Sequence, residues 1–205
     1  GSFGRNSNGI KTLSRDKTIL LYENVENKAT PRSQQLANQV VEHCKKENVK
    51  PMNFGGDSTG GGAPFLDVLA STSGWDNSFL RVSFGGAASL KPVSPTDKTP
   101  AKEKYANRVS ELWHVPKSLM RSGQIKGIDS TIAGQMCKRR LDKKIGDKDK
   151  IRLESKTDMK ARCGESPGEA DAFMVLVDLC RTRFNFVSVE KSSGGGGSTK
   201  KGSWR

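Results

Sequence analysis

The stretch from Gly55 to Leu69 reads GGDSTGGGAPFLDVL, and it places one acid among glycines just ahead of an apolar run. The residues leading into it, Val49 to Asp57, predict a short buried strand that ends at the acid, and a helix is predicted to begin near Pro64. An Asp at the carboxyl end of a strand in an open α/β sheet points into the crevice where such sheets bind ligands. Glycines on both sides leave space for a large substrate. The stretch therefore predicts an α/β fold with a binding site at Asp57.

Two other interpretations of this stretch stay open on these residues alone. A glycine-rich loop can cradle a phosphate, but this one lacks the Lys and the Ser or Thr that complete a nucleotide-binding P-loop. Asp57 can also be an ordinary solvated residue of a turn. A second acid predicted at the same place would favour a functional site.

The second acid lies in GESPGEADAF, Gly164 to Phe173. Ser166, Pro167 and Glu169 are typical of the N-cap, the first position and the capping box of a helix. Asp171 follows between two alanines, and the helix beyond it is apolar, which predicts that Asp171 lies near the sheet. A carboxylate near a helix N-terminus can instead serve only the helix dipole. If the two carboxylates do meet, they repel each other, and a hard divalent cation such as Mg²⁺ would relieve that repulsion.

Strands and helices alternate along the rest of the chain, as expected for an α/β domain. The predicted strands are Lys17–Val25, Ser78–Gly86 and Lys150–Ser155. Four helices are predicted besides the one near Pro64. The first has Thr30 as its N-cap and Pro31 at its first position, and the second runs from Ala101 with a break at Pro116. The third contains Ile132, Met136 and Leu141, and the fourth closes the domain after Gly168.

The positive net charge of the chain favours a polyanionic partner. The 205 residues include 35 Lys plus Arg against 22 Asp plus Glu, a formal net charge of +13, and nucleic acid is the leading candidate for such a chain. The alternative is that the basic residues only keep the protein soluble, since they are spread along the sequence.

The cysteine and histidine content indicates neither a zinc site nor a disulfide framework, because no CxxC pair is present. With no signal peptide and no long apolar run, scattered cysteines are typical of a reducing, cytosolic setting, and Cys44 and Cys180 are expected to pack in helix cores. The residues concerned are Cys44, Cys137, Cys163, Cys180, His43 and His114.

Four stretches resemble, in this order, successive motifs of the nuclease domain in the large terminase subunits of tailed double-stranded DNA bacteriophages. They read NFGGDSTGGGAPFLDVL, FGGAAS, YANRVSELW and LESKTDMKARCGESPGEADAF, and the resemblance covers about residues 17–186. It implies a ribonuclease H-like α/β fold with a mixed central sheet flanked by helices. The implied activity is that of a metal-dependent endonuclease that cuts concatemeric viral DNA during genome packaging.

The resemblance also implies the site. In that family the acids that match Asp57 and Asp171 are catalytic metal ligands, which implies hydrolysis with two Mg²⁺ or Mn²⁺ ions about 3.5–4 Å apart. The implied partners are double-stranded viral DNA, the portal protein, the small terminase subunit and an ATPase domain in a parent chain, all in the host cytoplasm. Basic residues near the motifs are candidate DNA contacts, or else a solvated basic face: Lys138, Arg139, Arg140, Lys156, Lys160 and Arg162.

The sequence departs from the family pattern in two places. The family's first catalytic Asp lies on a strand with no counterpart before Lys17, so that acid is expected upstream of Gly1. Gly168 stands where the family usually has an acid three residues before its last Asp. Residues 1–186 are thus expected to form the nuclease domain without its first strand, and residues 187–205 a flexible Gly/Ser-rich basic tail. The alternatives are a nonenzymatic DNA-binding or portal-docking module, or a resolvase-like nuclease of the same fold.

Overall fold

The computed structural model describes most of the chain between residues 32 and 183. The described residues are 5–6, 16–17, 32–60, 62–93, 97–121, 124–125, 127–142 and 150–183. Residues 18–25 of the predicted first strand and the predicted tail, 187–205, lie outside them.

Helices dominate the described part of the chain, and the strands there are short. In chain order the elements are β1 (Arg5–Asn6), β2 (Asp16–Lys17), α1 (Arg32–Lys46), β3 (Gly55–Asp57), α2 (Gly62–Ala70), β4 (Leu80–Val82), α3 (Ala101–Lys104), α4 (Arg108–Arg121), α5 (Ser130–Lys138), α6 (Lys156–Cys163) and α7 (Gly168–Arg183). None of the described helices is long and apolar enough to cross a membrane.

Strands β3 and β4 form a parallel pair in which Asp57 lies opposite Val82, and α2 is part of the crossover that a parallel connection requires. The prediction of a strand from Val49 is wrong in its first half, because Pro51–Asn53 form a 3₁₀ turn and proline has no N–H to give to a strand ladder. The predicted mixed central sheet is not confirmed. In the described residues β3–β4 and an antiparallel β1–β2 pair are separate two-stranded sheets.

Glycines allow β3 to lie in close contact with two helices. A Cβ on Gly55 would lie 3.0 Å from Val175 Cγ1 of α7, and a Cβ on Gly56 would lie 2.6 Å from Leu66 Cδ2 of α2. At the start of α2, a Cβ on Gly62 would lie only 2.0 Å from the backbone carbonyl oxygen of Asp57. Glycine is required at position 62 because the backbone of Asp57 lies so close. This packing requirement is a second reason for glycine here, besides the space that glycines leave for a substrate.

The main core packs α7 against α4, α5 and β4. Helix α7 is buried on nearly all sides, as its apolar sequence predicts. A second cluster joins α1 to α2, and Cys44 and Cys180 are both buried, which confirms the expectation for these two residues. The main cluster includes Val82, Phe84, Leu112, Trp113, Val115, Leu119, Phe173, Met174 and Val177, and the second includes Ala37, Val40, Cys44, Leu66, Leu69, Trp75 and Phe79.

Three sequence predictions about helices are wrong. The helix predicted from Ala101 is two helices, because α3 ends at Lys104 and α4 begins at Arg108. Helix α4 continues through Pro116, although an interior proline costs a helix about 3 kcal/mol. Burial of Pro116 with Leu112 and Leu119 in the core offsets that cost. Leu141 lies beyond the end of α5, pairs with Leu153 in an isolated bridge and is 56% exposed.

A fully buried carboxylate, that of Glu111 on α4, ties this helix to α7 and to a loop. The backbone N–H and the hydroxyl of Ser89 each donate to it over 2.7 Å. Arg108 Nη1 lies 2.8 Å and Arg181 Nη1 3.0 Å from its oxygens, and Arg108 also pairs with Asp178. Burial acts to raise the pKa of Glu111, but the bonds from Ser89 and the two guanidinium groups outweigh it and hold that pKa below its usual range.

We expect Glu111→Gln to lower the free energy of unfolding at pH 7 by about 3 kcal/mol, because it removes one partner from a buried charge network. A lowered pKa stabilises the fold above the ordinary Glu value of about 4.3 and loses that effect as the pH falls through the folded pKa. The difference between the two proteins should therefore stay constant from about pH 7 to pH 5 and shrink below it. Urea unfolding across this pH range measures it, with exposed Glu103→Gln as the control; a difference that grows at low pH would contradict the assignment.

We also expect Gly62→Ala to lower the free energy of unfolding by about 1–3 kcal/mol, the usual cost of overpacking, because the new methyl group meets the backbone of Asp57. Gly134→Ala in α5 is the matched control. No atom lies within 4 Å of its added Cβ, and alanine favours a helix over glycine by up to about 1 kcal/mol. Urea unfolding should thus give opposite signs for the two variants, and equal signs would refute the close approach.

Candidate functional site

Asp57 is the last residue of β3, and its carboxylate is held by the turn that follows. Oδ1 accepts the backbone N–H of Thr59 over 2.9 Å and also the Thr59 hydroxyl. Oδ2 lies 3.7 Å from Lys156 Nζ, and the side chain is 27% exposed. Asp57 is therefore a partly open carboxylate with one fixed oxygen and one oxygen directed toward a lysine.

Asp171 lies in the first turn of α7, whose start is fixed from α5. Gln135 accepts the backbone N–H of Ala170 over 2.9 Å and donates its amide N–H to Glu169. The predicted capping box is therefore wrong, because Glu169 turns to Gln135 and Gly168 N–H bonds the backbone oxygen of Ser166. Asp171 itself is buried, with 6% of its surface exposed.

Lys156 joins the two acids. Its ammonium nitrogen lies 2.7 Å from Asp171 Oδ2 and 3.7 Å from Asp57 Oδ2, so the two oxygens are separated by no more than the sum of these distances. It also lies 5.5 Å from the centroid of the Phe84 ring. Lys156 is the first residue of α6, which Ser155 caps by accepting the N–H of Asp158. The structure thus brings together both acids that the sequence singled out.

A second cation faces Asp171 from the core. Arg139 Nη1 lies 3.6 Å from Asp171 Oδ1, and the Arg139 side chain is only 3% exposed. Burial raises the pKa of Asp171, and Asp57 adds to the rise, while Lys156 and Arg139 oppose it without cancelling it. Neutralising cations on two sides therefore do not fully compensate this carboxylate for its loss of water.

The donor set fits a hard divalent cation. Asp171 Oδ2 and Asp57 Oδ2 lie 2.7 and 3.7 Å from the same cation, Lys156 Nζ. Carboxylate oxygens are the ligand type that Mg²⁺ and Mn²⁺ prefer. Within the described ranges no group of three or more His, Cys, Asp and Glu residues is placed to hold a metal. Asp57 and Asp171 are thus a two-acid site to which water or a further acid would have to contribute.

The basic residues predicted to contact DNA differ in their exposure and in their partners. Lys138 pairs with Glu165 at the surface, while Arg140 and Lys160 are exposed. The prediction of Arg139 as a surface contact is wrong, because this side chain is buried over the Trp113 ring, 4.7 Å from its centroid.

Arg162 is partly tied down. It pairs with the Glu154 carboxylate and donates to the Lys138 carbonyl oxygen over 2.6 Å. The buried Glu154 also accepts the backbone N–H of Arg140 over 2.7 Å, so it orders the segment before α6. Lys156, in contrast, is 42% exposed beside the two acids, where a bound phosphate could reach it.

Sequence reasoning missed one residue that shapes the site, Gln135, and assigned another, Arg139, to the wrong role. Gln135 fixes the start of α7, and a lone Gln on a helix carries no sequence signal for such a role. Arg139 lies in the basic run CKRR, Cys137 to Arg140, where the repeated charge hides the one member that is buried. Arg139 differs in exposure from its neighbours Lys138 and Arg140 because α5 ends at Lys138 and the Arg139 side chain packs over Trp113.

Comparison with known proteins connects this geometry to one fold. No protein-family model and no curated protein matches the sequence. The chain is similar to a solved structure of the nuclease domain of the large terminase subunit gp2 of bacterial virus Sf6, a lysine-to-alanine variant with manganese and beta-thujaplicinol: 13% identity, 79% of this chain, 75% of that chain and a TM-score of 0.50. Another structure of that nuclease domain gives 14%, 70%, 71% and 0.50. The resemblance seen in the motifs is therefore confirmed as a likeness of fold, a mixed α/β fold shared with these terminase nuclease domains.

Proposed function

We propose that this chain is a metal-dependent DNA endonuclease, the nuclease part of a terminase large subunit that cuts concatemeric viral double-stranded DNA during genome packaging. The observation that carries the proposal is the meeting of Asp57 and Asp171 at the end of β3, where Lys156 links them. The shared fold with terminase nuclease domains supports the choice of this activity among those that two acids can serve.

The acids would hold the cation. Mg²⁺ or Mn²⁺ bound by Asp57 and Asp171 would supply activation of water and stabilisation of the leaving oxygen, and two-ion sites of this type do both. The similar terminase structure that contains manganese agrees with this choice of cofactor. Thr59 keeps Asp57 Oδ1 fixed, which leaves Oδ2 directed toward Asp171 and Lys156.

The substrate side is basic. The net charge of +13 would draw DNA to the protein through its phosphates, with little dependence on sequence. Exposed Lys160 lies one helical turn from Lys156 on α6, about 6 Å along the axis, so the two side chains can meet neighbouring phosphates of one strand. Lys138, Arg140 and Arg162 are further candidates at the edge of the site. The portal protein, the small terminase subunit and an ATPase domain are the partners that this role in the host cytoplasm would require.

The test is cleavage of plasmid DNA with Mg²⁺ or Mn²⁺. Asp57→Asn and Asp171→Asn keep the side-chain shape but remove ligand charge, so each should lower the cutting rate by at least about 100-fold, the order of effect seen when a group essential to charge stabilisation is lost. The assay should be run on the 205-residue chain and on a longer form of the protein, because the described residues bring together only two acids at this site.

Chelator should stop the cutting, and Glu103→Gln, which changes an exposed acid on α3, should leave it unchanged. Cutting at the wild-type rate by both site variants would overturn the two-acid mechanism. DNA binding without cutting in every protein tested would favour the nonenzymatic DNA-binding module.

Lys156→Met gives an independent test of the site through Mn²⁺ binding. The ammonium of Lys156 now neutralises the carboxylates that would hold the cation, and a partly exposed ion pair contributes up to about 1 kcal/mol. Its removal should therefore tighten Mn²⁺ binding by roughly fivefold, which electron paramagnetic resonance of free Mn²⁺ measures. Lys160→Met, which removes the same charge one turn away, should change the affinity much less; equal effects of the two variants would mean that Lys156 acts only through overall charge.

A further inference from the structure

Arg139 is a charged side chain that the structure places inside the protein. It follows directly after α5, and its side chain is 3% exposed. Its guanidinium carbon lies 4.7 Å from the centroid of the Trp113 ring, a distance typical of a cation–π contact. A guanidinium keeps its charge when buried, so this position holds a permanent positive charge that DNA cannot touch.

The planar fork of Arg139 binds one backbone atom. Nε and Nη2 donate to the carbonyl oxygen of Glu154 over 3.1 and 3.0 Å. Glu154 lies two residues before Lys156, and Ser155 between them is the N-cap of α6. The fork therefore fixes where α6 begins, and with it the place of the Lys156 ammonium.

The remaining nitrogen of the fork faces the second acid. Arg139 Nη1 lies 3.6 Å from Asp171 Oδ1, and both atoms are buried without a hydrogen-bond partner. Charge attraction at this distance draws Oδ1 toward the core, because little water is present to screen it. Oδ2 is then left on the other side of the carboxylate, 2.7 Å from Lys156 Nζ.

We propose that Arg139 is a positioning residue of the nuclease site, an inference that rests on the function proposed above. It holds Oδ1 of Asp171 toward the core, so that Oδ2 faces the cleft, and it anchors the start of α6 so that Lys156 stands beside that oxygen. Arg139 acts from the core side of Asp171, through its contacts with Asp171 and Glu154, and it does not contact the substrate. Lysine cannot replace it, because an ammonium lacks the planar fork that serves Glu154 and Asp171 at once.

The test uses Arg139→Lys, which keeps the charge and removes the fork. Side chains that orient metal ligands typically contribute 10- to 100-fold to metal affinity or activity, so Mn²⁺ binding should weaken by roughly tenfold. On the protein that cuts DNA, kcat should fall by a similar factor while KM for DNA stays unchanged, because the residue is buried. Arg121→Lys, the same change at an exposed position at the end of α4, is the matched control and should alter neither value.

Circular dichroism and thermal melting establish that the variant is folded. If Arg139→Lys does not fold, Arg139→Gln, which retains a planar N–H donor toward Glu154, is judged by the same two measurements. A folded variant that keeps either the Mn²⁺ affinity or the kcat of the wild type overturns the proposal, as does a change in KM alone. A wild type that neither binds Mn²⁺ nor cuts DNA overturns the proposed function itself, whereas a wild type that does both beside an unchanged Arg139→Lys overturns only the role of Arg139.

Discussion

The close contact between β3 and α7 determines the site. A Cβ on Gly55 would lie only 3.0 Å from Val175 Cγ1, so strand and helix are closely packed at this point. Asp57 lies two residues further along the strand and hence on the same face, and Asp171 lies four residues earlier on the helix and hence also on the same face. Two strand residues span about 6.6 Å and four helix residues about 6 Å. The two acids therefore lie at about equal distances from the contact between Gly55 and Val175, which places them close together. A methyl group at position 55 would require its neighbour Val175 to shift by a few tenths of an ångström.

Two buried charge clusters in the described part of the chain differ in how completely they are bonded. Around Glu111 the oxygens receive the Ser89 groups and two guanidinium nitrogens, a saturated arrangement that holds α4, α7 and a loop together. Around Asp171 one carboxylate oxygen and the facing nitrogen of Arg139 have no hydrogen bond. Saturation suits a structural cluster, because unpaired buried polar atoms destabilise a fold. An incompletely bonded carboxylate, whose other oxygen shares Lys156 with Asp57, suits a site that is to receive a ligand.

The sequence predicted the helices of the fold more reliably than its strands, since the predicted strand Lys150–Ser155 contributes only isolated bridges at Ile151 and Leu153. Asp57 at the end of a strand and Asp171 near the start of a buried helix were evident from local patterns, since glycine clusters and helix-start residues act over a few positions. The continuation of α4 through Pro116 was not, because the burial that offsets a missing hydrogen bond comes from residues distant in sequence. The burial of Arg139 could not be predicted either, for the same reason. In the sequence it is one of three adjacent basic residues, and its contacts with Trp113, Glu154 and Asp171 involve residues distant in sequence.

Lys156 occupies an unfavourable place in its own helix. As the first residue of α6 it puts a positive charge at the end where the helix dipole is already positive, and the N–H groups of that turn repel it. The carboxylates of Asp57 and Asp171 supply the compensation from outside the helix. The first turn of α6 is thereby coupled to the charge of the two acids, so any event that withdraws their charge also removes the local support of that turn. Fraying at the beginning of α6 would then report, at backbone amides, on what occupies the acids.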